Sequence, residues 1–500
     1  MKKTTNPLKT EFALFKQGLS QEEVALIDSF FAEFDPHFLV HKKTKSLFRA
    51  DFEKAIMDLY NQGVSLDEIL TRLDLSNLGG YYARPSIAWF PLDDAAKIYP
   101  ISMDHGKQQV FRLSIYLKRK VNPIILQMAL TFTIKRFPSF ATTIKKGIFW
   151  HYLDAVKKRF AIEEEHDYPC QPIKVSLSGS QPFRLMYYEN RISAEFFHVL
   201  TDATGALVFL KALVSEYLRL LGVVATDGDV WDVNATPTNE EFENAFLKVE
   251  KASASSGFVD KPAIQMNGKL TKRRPCRILH FKMDSAKLKQ VSKEYGATVT
   301  AYLLMQMFYA CQASTDEMTG ELNIQVPVNM RKFYPSKTVR NFSMYCGIRI
   351  PIEKIGDKQS IILEITRQLE EKSSQDKMQE MVTAAVKLVG SLRYIPLLIK
   401  QPIAKIVYGF LGEKIYSNTF SNIGVVQLPS VFSEHVESMD FCLGAHMVNR
   451  LACTAITCNN VTTFSISKMT ADPAFEERMY KLLSEDGIDV EVEGSEYYAR

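Results

Sequence analysis

Residues 192–205 read Ile-Ser-Ala-Glu-Phe-Phe-His-Val-Leu-Thr-Asp-Ala-Thr-Gly. The first half alternates as a strand does, so Ile192, Ala194, Phe196 and His198 share one face and the histidine ends an apolar, inward-facing row. Asp202 follows across a short turn. Gly205 lets the chain fold tightly into a helix that starts near Asp202, with Leu207, Leu210, Val214, Tyr217 and Leu221 on one stripe. Two readings fit this strand–turn–helix. An imidazole in a desolvated position, held by its surroundings, is what a general base for a hydroxyl or amine needs. A core histidine followed by Asp202 or Thr201 as a helix N-cap is the other.

Outward from this stretch the chain alternates strand and helix. Phe111–Lys120 reads as a strand, and Asn122–Pro138 as a helix opened by Asn-Pro and stopped by Pro. Three strand-like runs follow, PIKVSLSG, FRLMYYEN and RISAEFFHVL, separated by turn residues such as Gly179 to Pro182. Residues 1–80 look helical, with Ser20-x-x-Glu23 and Ser65-x-x-Glu68 both matching the capping-box pattern, and they carry no evident chemistry. Beyond Asp227 an acidic then basic stretch reads as a crossover between lobes. After it come the strand RILHFKM, a helix from Asp284 stopped by Gly296, and a helix from about Val299 to Cys311 that is apolar almost all round. Six further strand-like runs and a helix over roughly Pro473–Ser484 complete the pattern. The expected architecture is α/β, two lobes with mixed sheets plus a helical N-terminal extension. Its divisions are 1–85 for the extension, 86–226 for the first lobe, 227–276 for the crossover and 277–500 for the second lobe.

Composition excludes several classes. The 500 residues are 46% apolar and 24% charged with a net charge of +4, which rules out disorder, fibres and a dedicated nucleic-acid binder. The opening MKKTTNPLKTEF is not followed by an apolar run, so no signal peptide is expected. Met381–Gly412 is the most lipid-like region. Lys387, Arg393, Lys400 and Lys405 interrupt it, so no membrane span is expected. It reads as buried helices, as the lining of a tunnel for a hydrophobic substrate, or as a face that touches a membrane. Seven scattered cysteines imply free thiols and a cytoplasmic location. Cys442, His446, Cys453 and Cys458 superficially resemble zinc ligands, but Cys453 and Cys458 lie five apart on one strand and face opposite sides, so no metal is expected. No GxSxG, GxGxxG or Walker A sequence occurs.

His198-x-x-x-Asp202-x-x-Gly205 resembles the HxxxD active-site motif of the chloramphenicol acetyltransferase-like superfamily, nearest to bacterial alcohol acetyltransferase-like and condensation-domain-like acyltransferases. Four further segments are similar in the same order: Trp89–Pro100, Tyr295–Leu304, Val326–Phe342 and Ser417–Pro429. There are departures. Phe197 stands where condensation domains have a first histidine, Ala203 and Thr204 separate Asp202 from Gly205 in place of a direct DG pair, and no DFGWG segment occurs.

The resemblance implies direct acyl transfer without an acyl-enzyme, from acyl-CoA as cosubstrate to a hydroxyl small molecule, with no tightly bound cofactor. His198 would be the base. Asp202 would point away from substrate and pair with an arginine, Arg331 first and Arg340 second, with Gly205 shaping the turn. Ser421 and Asn422, then Thr419, are the candidates for oxyanion donors. Lys269, Lys272, Arg273 and Arg274 would touch CoA phosphates or form a solvated linker. An acyl carrier protein as donor partner, or a non-catalytic member that only binds a ligand, are the alternatives.

Overall fold

The computed structural model describes residues 7–84, 89–102, 109–173, 179–252, 260–271, 277–402, 414–444 and 450–495. Strand Arg191–Phe197 is buried on both faces beyond its first residue, so each face must be covered. It lies antiparallel between Val110–Leu117 and Phe183–Tyr188 in a five-stranded sheet. Ile162–Glu164 closes one edge of that sheet in parallel, and Val436–Leu443 closes the other. Helices Pro123–Thr133 and Ala203–Leu220 cover one face, where Phe137, Phe140, Phe183 and Phe196 pack around Phe209.

A seven-stranded sheet forms the second lobe, in the order Ser343–Pro351, Glu321–Asn329, Asn418–Val425, Leu451–Cys458, Val461–Lys468, Arg277–Asp284, Glu491–Gly494. Asn418–Val425 is parallel to both neighbours, and the other pairs are antiparallel. The helix Val299–Gln312 is buried from Ala301 to Cys311, in keeping with its apolar circumference. A third sheet of three short strands joins Trp89–Pro91, His151–Ala155 and Thr142–Lys146.

Three findings add detail to the expected architecture. The helices of the N-terminal extension share the first lobe's core. Phe52 meets Phe132 edge-on, Tyr82 Oη donates to Thr131 O at 3.2 Å, and Asn122 Nδ2 donates to Asp58 Oδ2 at 2.6 Å. The capping box forms at Ser20 but not at Ser65, since Glu68 is taken by Arg72, whose guanidinium also donates to Leu220 O at 3.0 Å. Finally, Val436–Leu443 belongs by sequence to the second half yet pairs with Val110–Leu117. Of the run PIKVSLSG, residues 174–178 lie outside the described residues.

Candidate active site

His198 follows the last residue of its strand, and its N–H still donates to Gln109 O at 2.8 Å. Its ring lies beside Tyr99 (5.0 Å between centroids) and Phe111 (5.3 Å). Nδ1 stands 2.8 Å from Asn341 Oδ1. The Asn341 amide in turn donates to Asp93 Oδ2 at 3.3 Å, and Asp93 Oδ1 accepts from the Ala96 N–H at 2.7 Å. Asp93 and Asn341 are buried, with the Arg340 guanidinium 3.7 Å from Asp93. Burial pushes the Asp93 carboxyl above its ordinary range, and Arg340 and the two N–H donors pull it back. With a carboxylate accepting from its nitrogen, Asn341 turns its oxygen to the imidazole. The proton then sits on Nδ1 and the lone pair on Nε2.

Asp202 caps the helix Ala203–Leu220. Its Oδ1 accepts from the Gly205 N–H at 3.0 Å, while Oδ2 accepts from Arg331 Nη1 and from the Phe342 N–H, each at 2.8 Å. Arg331 also donates Nη2 to Thr338 O at 2.8 Å and to Arg340 O at 2.7 Å. One guanidinium therefore fixes the 338–342 segment of the second lobe against the helix start of the first. Thr201 Oγ1 adds a bond to Val339 O at 2.6 Å. A Cβ on Gly205 would stand 2.0 Å from Val339 O, so only glycine admits this approach. Arg340 does not reach Asp202; its guanidinium bonds Phe242 O and Pro91 O beside Asp93.

The remaining candidates are spread more widely. Ser421 and Asn422 lie on Asn418–Val425, where Asn422 Nδ2 donates to Thr300 Oγ1 at 3.0 Å and Oδ1 accepts from the Gly424 N–H at 2.8 Å. Thr419 Oγ1 donates to Gln325 Oε1 at 3.2 Å. None of the three is hydrogen-bonded to His198. Lys272, Arg273, Arg274 and His446 lie outside the described residues. Cys442 is on Val436–Leu443, and Cys453 and Cys458 sit within and at the end of Leu451–Cys458. Among the described residues no cluster of His, Cys, Asp or Glu is arranged to hold a metal. A polar cavity of about 380 Å³ opens between the lobes, lined by Arg112, Tyr116, Arg191, His280 and Asp440. Its Tyr116–Arg191 end is six register pairs from the Val110–Phe197 pair beside His198.

Sequence reading missed Asn341 and Asp93. Both fall inside segments that carry the resemblance, Trp89–Pro100 and Val326–Phe342, but 143 and 248 residues separate the bonded pairs. No local spacing could have joined them.

No family model and no curated protein matches the sequence. Solved structures do match in shape. Fusarium sporotrichioides TRI101, crystallised with coenzyme A and T-2, superposes with a TM-score of 0.54 at 12% identity, over 81% of this chain and 99% of that one. Polyketide synthase associated protein 5 from Mycobacterium tuberculosis gives 0.54 at 12% identity, over 79% and 97%. The first condensation domain of the calcium-dependent antibiotic synthetase gives 0.52 at 11% identity, over 80% and 97%. The five- and seven-stranded sheets are thus those of the two-lobed chloramphenicol acetyltransferase-like and condensation-domain fold.

Proposed function

We propose that the chain is an acyltransferase that moves an acyl group from acyl-CoA to a hydroxyl small molecule, with His198 as general base. Nε2 takes the hydroxyl proton as the oxygen attacks the thioester carbonyl. Collapse of the tetrahedral intermediate breaks the C–S bond, and the departing thiolate takes the proton back from the imidazolium. The observation that carries this reading is the clamp on Nδ1, because Asn341 and Asp93 hold the ring in the tautomer a base requires.

The oxyanion needs a donor that faces the first lobe. On Asn418–Val425, Phe420 is buried in the second lobe's core, and its neighbour Ser421 is in register with Thr454, whose Oγ1 donates to Phe441 O of the five-stranded sheet, so this position looks to the face that meets the first lobe. Ser421 is on that face. Asn422 is on the other and held by Thr300, which makes Ser421 the better donor. Asp202 and Arg331 act by holding the lobes in register rather than by touching substrate.

The test is thiol release from a panel of acetyl to long-chain CoA esters with alcohol and purified protein. His198→Ala should lower the rate by roughly 10²–10⁴ at an unchanged melting temperature. Transfer from an acylated carrier protein alone would transfer the reading to a condensation-like enzyme. Stoichiometric binding without turnover would make the chain a binding protein.

A further inference from the structure

The tip of the hairpin joining Thr142–Lys146 to His151–Ala155 presents Ile148 and Phe149 to solvent. Beside it runs the chain that leaves the helix Gln375–Ser391, with Tyr394, Leu398 and Ile399 exposed, as is Leu388 in the last turn of that helix. Leu397 N–H donates to Ile148 O at 2.8 Å, and Lys400 Nζ donates to Phe149 O at 2.8 Å, so the two segments form one surface. Leu398 is 86% exposed, Tyr394 76% and Ile148 75%. Such side chains are normal singly, but several together on one face mark a surface that meets something apolar.

Charge indicates what that is. Lys146, at the base of the hairpin tip, and Lys387 and Arg393, which precede Leu398 in the chain, are all exposed, and neither 142–150 nor 381–402 contains an Asp or Glu. We propose that this face seats the protein on an anionic lipid bilayer, with Leu398, Tyr394 and Ile148 entering the interface and the three cations meeting lipid phosphates. Apolar and aromatic side chains with a basic rim are the two signals that reversible bilayer attachment needs. An acidic carrier protein would need a predominantly charged face, whereas here large apolar side chains outnumber the exposed cations. This attachment does not depend on the acyl-transfer reading.

The test is sedimentation of the full chain with vesicles of phosphatidylcholine alone or with phosphatidylglycerol, at low and raised salt. Binding should favour the anionic vesicles and weaken with salt. Arg393→Glu should weaken it at least roughly fivefold, the effect of losing one basic residue near such a surface. Leu398→Ser with Tyr394→Ser should weaken it roughly tenfold or more. All three side chains are solvent-exposed, so the variants should keep the wild-type melting temperature. No preference for anionic vesicles, or equal binding by both variants, would overturn the proposal. So would a concentration-dependent dimer that Leu398→Ser abolishes, or retention of the face by an acidic carrier protein but not by vesicles.

Discussion

With its Nδ1 proton given to Asn341, His198 offers Nε2 as the base, and the amide cannot turn round without losing its bond to Asp93. Replacing Asn341 by Asp sets two carboxyls side by side; Asp93, already raised by burial, takes the proton between them, and the negative charge left beside the ring favours the imidazolium. The base works only when neutral, so the acid limb of kcat/KM should move to higher pH by about one unit. An unmoved limb in a folded Asn341→Asp protein would show that the imidazole titrating in that limb is not the one bonded to Asn341. Asp202 and Arg331 should behave differently. Breaking a buried pair by removing one partner leaves a charge uncompensated, at a cost of about 3–5 kcal/mol. Asp202→Asn and Arg331→Met should each lower the melting temperature as well as activity, and the double variant should lose less than the sum. Strict additivity in a denaturation cycle would reject the coupling. At this scale the sequence was half legible. His198 and Asp202 stand four apart in one motif, whereas the residues that hold the imidazole come from two distant segments.

Elements meet at the start of the helix Ala203–Leu220, where glycine brings it against the Val339 carbonyl. Gly205→Ala must push the 338–342 segment away, which should cost about 1–3 kcal/mol and, by displacing Asn341, reduce turnover too. A fully stable, fully active Gly205→Ala would mean that the lobes part there freely. The strand His151–Ala155 carries a second testable feature. Burial, with Lys146 adding, pushes the His151 imidazole down to about 4. Between pH 6.5 and 4 the unfolded chain binds the proton that the folded chain refuses, so stability falls as pH drops through that window. At pH 5 the loss is on the order of 2 kcal/mol. Denaturation midpoints at pH 7 and 5 should differ less in His151→Gln than in wild type. Helix starts were only partly legible at this scale. Both capping boxes have the right letters, but Glu68 has a nearby guanidinium to choose instead, and that choice depends on where Arg72 docks.

Across the whole molecule, Val436–Leu443 makes the two halves of the sequence one folding unit. Its apolar run made it recognisable as a strand, but nothing local could name its partner, because a partner this distant in the chain depends on the finished topology. Without it the mostly buried Val110–Leu117 would become an open edge, with one row of backbone donors and acceptors unpaired. Asp202 with Arg331, and Asp93 with Arg340, add two ion pairs that cross between the lobes. Residues 1–276 expressed alone should therefore aggregate or fail to fold, even though they contain His198, Asp202 and most of the first core. Adding the 277–500 fragment during refolding should rescue solubility. Ser114→Pro should act similarly in the full chain. Asp440 pairs with Ser114, and proline removes a ladder donor in the middle of a central strand. A soluble, cooperatively unfolding 1–276 fragment would show instead that the first lobe is autonomous, and that the second contributes the Asn341 and Ser421 side of the site without being needed to build the first.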